Sequence, residues 1–220
     1  MSELNWQEAR ENMVLQQIRT WDVLDQRVLD LLEVMPREDF VPDPYRKLAY
    51  ADMRIPLGHG EVMMPPVVEA RMLQALDIQS HDTVLEIGTG SGFVTALLAR
   101  LARHVHSVEI HPRFTETAGE ILASHGIINV TLHNGDAARG WTECGQVDVL
   151  AITGSLPILP EVFQLSLNPG GRLFAIVGDA PAMEAVLITR LDNGEFRRES
   201  LFETDLPALR NAYQPNRFVL

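Results

Sequence analysis

Cysteine is all but absent from this sequence of 220 residues, where Cys144 stands alone. One thiol closes no internal disulfide, so the chain must fold on its own core and asks for no oxidising compartment. Lysine is equally scarce: Lys47 is the only one, and 30 acidic against 18 basic residues give a formal net charge of −12. Phosphate neutralisation needs clustered Lys and Arg, so this balance argues against nucleic acid as a partner. Long apolar runs are missing too, and none approaches the roughly 18 residues that a membrane span requires. The opening Met1-Ser2-Glu3-Leu4-Asn5 has neither the basic nor the apolar region of a signal peptide. Together these absences predict a cytoplasmic protein with no membrane partner. Internal repeats, low-complexity tracts and linkers rich in Gly, Ser or Pro are not found either, which leaves one domain as the expectation at this length.

The rest is the composition of a compact chain, with 46% hydrophobic and 22% charged residues. Residues 1 to about 80 read as helices and turns. Met13, Val14 and Ile18 share a helical face, and Val28, Leu29, Leu31 and Leu32 follow Asp25, a residue type that caps helix N-termini. Prolines at 36, 42, 44, 56, 65 and 66 then force extended or turned chain until a helix starts near Val67.

Beyond residue 83, short apolar strands alternate with helices. Strands are expected at Thr83–Ile87, Val105–Glu109, Asn129–His133, Val147–Thr153 and Arg172–Val177. Helices are expected at Phe93–Ala102, Phe114–Ser124 and near Leu159–Leu167, with a turn at Asn168-Pro169-Gly170-Gly171. Such alternation implies right-handed crossovers and a parallel sheet. Met183–Leu191 and Phe196–Phe202 flank Asp192-Asn193-Gly194 as a hairpin, so the sheet should end antiparallel.

The strand Val84-Leu85-Glu86-Ile87 runs into Gly88-Thr89-Gly90-Ser91-Gly92 before the helix at Phe93. Bare backbone at such a turn lets a ligand approach closely. A dinucleotide fingerprint would need its third glycine at position 93, which is Phe, and no Gly-Lys-Ser/Thr follows as in a phosphate-binding loop. Glu109 ends the second strand, where a carboxylate can accept from both hydroxyls of a ribose. Asp136 follows the third strand in Asn134-Gly135-Asp136-Ala137. Each acid alone reads as a solvated loop residue. Three at consecutive strand ends beside a glycine turn read as a site.

An acid at a strand end followed by Gly-x-Gly-x-Gly resembles motif I of class I S-adenosylmethionine-dependent methyltransferases. The resemblance implies S-adenosyl-L-methionine as cofactor, held by Glu86, Gly88, Thr89, Gly90, Gly92, Glu109, Asp136 and Ala137. In that set Gly88 and Gly90 face the amino acid part, Glu86 anchors its ammonium group, Glu109 takes the ribose, and the Asp136 loop borders the adenine. A more specific resemblance lies upstream. The segments Val34-Met35-Pro36-Arg37-Glu38-Asp39-Phe40-Val41-Pro42, Ala49-Tyr50-Ala51-Asp52 and Ile55-Pro56-Leu57-Gly58-His59-Gly60 are similar to the N-terminal signature of protein-L-isoaspartate O-methyltransferases. The similarity continues through Asn129-Val130-Thr131, Gly135-Asp136, Pro169-Gly170-Gly171-Arg172-Leu173 and the closing Arg217-Phe218-Val219.

This resemblance implies an α/β, Rossmann-like fold: a mostly parallel sheet with helices on both faces, an antiparallel C-terminal hairpin and a helical N-terminal extension. It implies one methyltransferase domain over residues 1–220, with a helical and loop cover at 1–80, a cofactor-binding core at 81–178 and antiparallel strands at 179–220. The implied activity is methyl transfer to a carboxylate of a damaged aspartyl residue, so the partner is an isoaspartyl peptide or protein. Two other readings keep the glycine loop: a small carboxylate or other acceptor with the same cofactor, and a cofactor-binding module without turnover. The oligomeric state is left open.

The chain departs from the family at one position. Where the family has a serine that contacts the isoaspartyl carboxylate, this sequence has Met64, within Glu61-Val62-Met63-Met64-Pro65-Pro66. A thioether donates no hydrogen bond. Weak turnover of isoaspartyl peptides is therefore expected, with a gain in Met64→Ser, although Met63 and Met64 also fit a plain packing role. Other candidate substrate contacts are His59, the backbone near Gly60, and Thr153, Gly154 and Ser155 at the end of the fourth strand. No catalytic base is needed, because an aspartyl-type carboxyl group with a pKa of about 4 is already ionised at neutral pH.

No metal is expected. His104 and His106 alternate on a strand with His111 close behind, but no Cys or third spaced ligand completes a site in the sequence. Cys144, in Thr142-Glu143-Cys144-Gly145, has no basic neighbour and reads as a bystander, and Arg197-Arg198 as a solvated strand face.

Overall fold

A computed structural model of the chain describes residues 5–214; the first four residues and Arg217-Phe218-Val219 lie outside the described residues. The N-terminal part begins with α1 (Trp6–Asn12) and continues through a wider turn at Met13–Ile18. Helix α2 (Gln26–Val34) starts where expected, with the Asp25 side chain accepting from Arg27 N at 2.9 Å. Short 3₁₀ turns at Arg37–Asp39 and Asp43–Leu48 lead to a small hairpin, β1 (Ile55–Gly58) and β2 (Glu61–Met63), then to α3 (Pro66–Leu76). The proline-rich stretch is thus ordered, because a fixed φ suits 3₁₀ turns, an edge strand and the first turn of a helix.

The sheet follows: β3 (Thr83–Ile87), α4 (Phe93–Leu101), β4 (His104–Glu109), α5 (Pro112–Ser124), β5 (Val130–Asn134), β6 (Val147–Leu156), α6 (Glu161–Leu165), β7 (Leu167–Asp179), β8 (Ala182–Arg190) and β9 (Phe196–Thr204). Its order is β5-β4-β3-β6-β7-β8-β9, parallel up to β7 and antiparallel through β8 and β9. Alternate strand residues feed two cores. Val84, Val105, Val149 and Phe174 join α2, α3, α4 and the N-terminal residues Met13, Val14 and Ile18 in the larger one. Leu85, Val108, Leu150 and Leu173 face Phe163 of α6 and the chain around Ala137 and Ala138 in the smaller one.

Two elements differ from the sequence reading. The helix expected at Leu159–Leu167 is only Glu161–Leu165, with Pro160 capping it and Leu167 already in β7. The expected turn at Asn168–Gly171 is an irregularity inside β7, where the register against β6 shifts between Val147 and Val149 and Gly170 takes φ +77°. A turn sequence here makes a bulge rather than a reversal, because both flanks pair with the same neighbour. No helix among the described residues is long and apolar enough to cross a membrane.

Candidate active site

The strand order reverses between β3 and β6, and at their C-terminal ends the chain leaves a solvent-open cleft of about 670 Å³. Open α/β sheets bind ligands at this point. One wall is the glycine turn. Gly88, Gly90 and Gly92 have φ of +100°, +53° and +83°, which L side chains rarely adopt. Space gives a second reason for two of them: a Cβ on Gly88 would lie 2.5 Å from Thr153 Oγ1, and one on Gly92 2.9 Å from Ala118 Cβ of α5. The turn therefore sits pressed against both β6 and α5.

The three strand-end acids do three different things. Glu109 lines the cleft, its Oε2 accepting from Gly90 N and its Oε1 from His111 N, both at 2.9 Å. Each oxygen keeps a second acceptor direction free for a ligand. Asp136 also lines the cleft, with Ala138 N donating to Oδ1 (3.1 Å) and Asn211 Nδ2 to Oδ2 (2.7 Å), and Ala137 beside it. Glu86 does not reach the cleft. Strand alternation turns it towards α4, where it is 0% exposed and takes hydrogen bonds from Thr95 and Ser107, while Ser107 meets Thr89 Oγ1 at 2.6 Å. Burial pushes its carboxyl up to about 8; the two hydroxyls pull against this, and the nearby Glu109 charge adds to it. Enclosed behind the turn, Glu86 braces it through Ser107 and Thr89, and its Oε1 is buried without a hydrogen-bond partner.

Residues before the sheet close the cleft from above. Leu57, Glu61 and Val62 of the hairpin line it together with residues 206–210. Arg210 ties the two, its Nε donating to Glu61 Oε1 at 2.6 Å and its Nη2 to the His59 carbonyl, while His111 Nε2 lies 3.4 Å from the same Glu61 oxygen. Two further hollows meet this cleft at Leu57 and Gly90. One, of about 290 Å³, is lined by Met64, Glu69, Ser91 and Phe93; the other, a groove of about 1260 Å³, runs over residues 39–43, His59, Ser91 and Phe114.

The candidate substrate contacts separate accordingly. Met64 is buried and lines the small hollow, and its carbonyl is held by Arg37 Nη2 at 2.8 Å. Arg37 is itself fully buried, paired with Glu69 and set over the Phe93 ring. Burial raises the Glu69 carboxyl and the guanidinium pulls it back, the first being the larger effect. His59 stands at the groove, stacked on His111 with ring centroids 4.6 Å apart. Thr153 lines the cleft, but its hydroxyl donates to the carbonyls of Ile87 (2.9 Å) and Gly88 (2.6 Å) and is thereby committed. Ser155 is a correction: it is 0% exposed and donates to Leu206 O at 2.7 Å, so it fastens the C-terminal segment and lines none of these three hollows.

The roles of Arg210 and of the Arg37–Glu69 pair come from segments distant in sequence, and Ser91, though inside the glycine turn, is not singled out by it because its place beside the groove depends on the chain around residues 39–43 and 57–59. The histidines also regroup. His111 stacks on His59 beside the groove, while His106 meets His133, whose Nε2 lies 3.9 Å from Cys144 Sγ; burial pushes the Cys144 thiol up.

Similarity to known proteins agrees with this geometry. Residues 8–207 match the family model for protein-L-isoaspartate(D-aspartate) O-methyltransferase. A protein-L-isoaspartate O-methyltransferase of Rhodopseudomonas palustris is 40% identical over 190 residues, covering 86% of this chain and 87% of that one. One from Myxococcus xanthus is 40% identical over 165 residues, 75% and 78% of the two chains. A solved protein-L-isoaspartate O-methyltransferase superposes over 90% of this chain with a TM-score of 0.77 at 24% identity; this chain spans 65% of its length. A second, from Plasmodium falciparum and in complex with S-adenosyl-L-homocysteine, has a TM-score of 0.79 at 19% identity over 94% of this chain and 99% of its own. With a family match over most of its length and relatives at 40% identity, the chain belongs to the protein-L-isoaspartate(D-aspartate) O-methyltransferase family.

Proposed function

We propose that this protein transfers a methyl group from S-adenosylmethionine to the side-chain carboxylate of an isoaspartyl residue in a peptide or protein. The observation that carries the proposal is the meeting of three hollows at Gly90 and Leu57: a cleft lined by the Glu109 carboxylate, a larger groove, and a small hollow that shares lining residues with both. The residues fit the cofactor. Gly88 and Gly90 offer bare backbone, Glu109 has an acceptor direction free on each oxygen, and Asp136 and Ala137 form the far wall. The bound cofactor supplies a sulfonium methyl as electrophile.

What the chain supplies is position. The groove holds extended peptide, the hairpin and residues 206–210 exclude water, and an ionised carboxylate placed in line at roughly 3 Å needs no base. Thr153 and Ser155 cannot replace the family serine, because their hydroxyls are spent on carbonyls. Ser91 can: its Oγ accepts from Phe93 N at 3.3 Å, which leaves the hydroxyl proton for a carboxylate at the junction of groove and hollow. We assign the substrate donor to Ser91 and a walling role to Met64. Residues 1–80 act as the cover of a single domain, and the cytoplasm is the expected site of work.

Labelled methyl transfer to an isoaspartyl peptide, its aspartyl isomer and small dicarboxylic acids tests the proposal. A base-labile ester on the isoaspartyl peptide alone is the expected result. The missing serine donor at Met64 favours a second reading, another acceptor, which label on the small acids alone would establish. Cofactor binding without transfer to any of them would leave a binding module.

A further inference from the structure

Histidines cluster on the sheet face that carries the smaller core, at its β4–β5 edge. His106 pairs in register with Thr131, and His133 lies two residues further along β5, so both imidazoles project from the same face of adjacent strands. The segment after β5 folds back over them. Trp141 packs 5.6 Å from the His133 ring and against Gly135, where a Cβ would meet its ring at 2.5 Å. That return delivers Cys144, with Sγ 3.9 Å from His133 Nε2, which lies 3.2 Å from His106 Nδ1. The three ligand atoms are all within 4.8 Å of one another, and all three residues are partly buried.

We propose that His106, His133 and Cys144 form a binding site for a borderline-soft divalent metal ion, zinc being the type, outside the cofactor cleft. A tetrahedral zinc with Zn–N and Zn–S bonds of about 2.0–2.1 and 2.3 Å sets its ligands about 3.3 Å apart for two nitrogens and about 3.6 Å apart for nitrogen and sulfur. The His–His separation meets this already, and a small inward movement of Cys144 completes the triangle. Two imidazoles and one thiolate select zinc or cobalt over magnesium and calcium, which take oxygen ligands. His104 does not complete the set, because its Nε2 is engaged with Thr131 Oγ1 at 2.9 Å. The fourth position is left to water. On binding, the Cys144 thiol gives up its proton to solvent and its sulfur binds the ion. An ion here would pin the segment that carries Asp136, Ala137 and Ala138 into the cleft wall, so it stabilises the fold on the side that faces the cofactor.

Tag-free, reduced and chelator-treated protein titrated with Co²⁺ tests this. One equivalent should bring the intense visible bands of tetrahedral cobalt together with a near-ultraviolet thiolate-to-cobalt band, and Zn²⁺ should abolish both. Cys144→Ser should lose the thiolate band and His106→Gln should weaken binding at least tenfold, with circular dichroism confirming that each variant is folded. Zinc at about 100 times its dissociation constant should raise the melting temperature of the wild-type protein by about 5–10 °C and leave Cys144→Ser unmoved. Absence of the thiolate band in the wild type, or its persistence in Cys144→Ser, overturns the proposal and leaves a hydrogen-bonded cluster only.

Discussion

Replacing Glu109 by Ala removes the group on which the cofactor cleft is built. In the structure its two oxygens accept from Gly90 N and His111 N, and each retains one acceptor direction towards the cleft. A hydrogen bond to a charged group contributes about 1.5–3 kcal/mol. Two ribose hydroxyls lost together, with part of the loss recovered by water, amount to about 3 kcal/mol, or about a 100-fold rise in dissociation constant. The same change releases the Gly90 amide, so the turn loses one of its ties to β4 and affinity falls further. Calorimetry with S-adenosylhomocysteine measures this directly, and Glu109→Gln, which keeps the volume and one acceptor, should lie between the two. NAD should bind to none of the three proteins. A dissociation constant for Glu109→Ala within about threefold of wild type, less than 1 kcal/mol, would refute the ribose role.

Ser91→Ala should lower kcat/KM for an isoaspartyl peptide about tenfold or more and leave S-adenosylhomocysteine affinity unchanged, whereas Met64→Ser, which alters only a wall, should leave kcat/KM within about threefold of wild type; equal kcat/KM in wild type and Ser91→Ala, or a gain of about tenfold in Met64→Ser, would return the donor role to position 64 or to another group. Arg37→Met leaves Glu69 buried without its partner and the Met64 carbonyl without its donor, so stability should fall by about 3–5 kcal/mol and the melting temperature by about 10 °C; a shift under about 3 °C contradicts it. Glu86 titrates near 8 in the folded chain against 4.5 unfolded, so the folded state retains a proton the unfolded chain gives up. Its stabilising contribution is complete below about pH 4.5 and is lost as pH rises to about 8, by at most about 1.4 kcal/mol per unit. Glu86→Gln should flatten that stretch in urea melts, and an unaltered slope would show that the carboxyl is already ionised. A chain starting at Val67 lacks Met13, Val14, Ile18, Val28, Leu29 and Leu32, all part of the larger core, and should be insoluble and unable to bind cofactor; a soluble, binding fragment would show that the cover is dispensable.

Much of this architecture is legible in the sequence, because the relevant signals are short-ranged. The 2-residue and 3.6-residue periods, the Asp25 cap, the hairpin around Asp192-Asn193-Gly194 and the glycine turn each depend on neighbours within a few positions, and each lies where it was read. The acids at 109 and 136 are legible for the same reason: a parallel sheet brings consecutive strand ends to one edge.

The atoms that those side chains meet depend instead on sheet order and on chain returning from far away. Glu86 shares a strand end with the cleft, yet alternation turns it into the α4 face, and only packing against Thr95 and Ser107 makes it a brace. Thr153 and Ser155 carry free hydroxyls on paper; folding places the carbonyls of Ile87 and Gly88 beside the first and that of Leu206 beside the second, and the buried Ser155 donor must be paired. Cys144 is unremarkable beside Thr142 and Glu143, and becomes a third ligand atom only when the chain folds back across β4 and β5. The sequence by itself determined the order of elements, the glycine turn and the family; tertiary structure decided which polar groups remain free to bind anything, since that depends on partners tens of residues away.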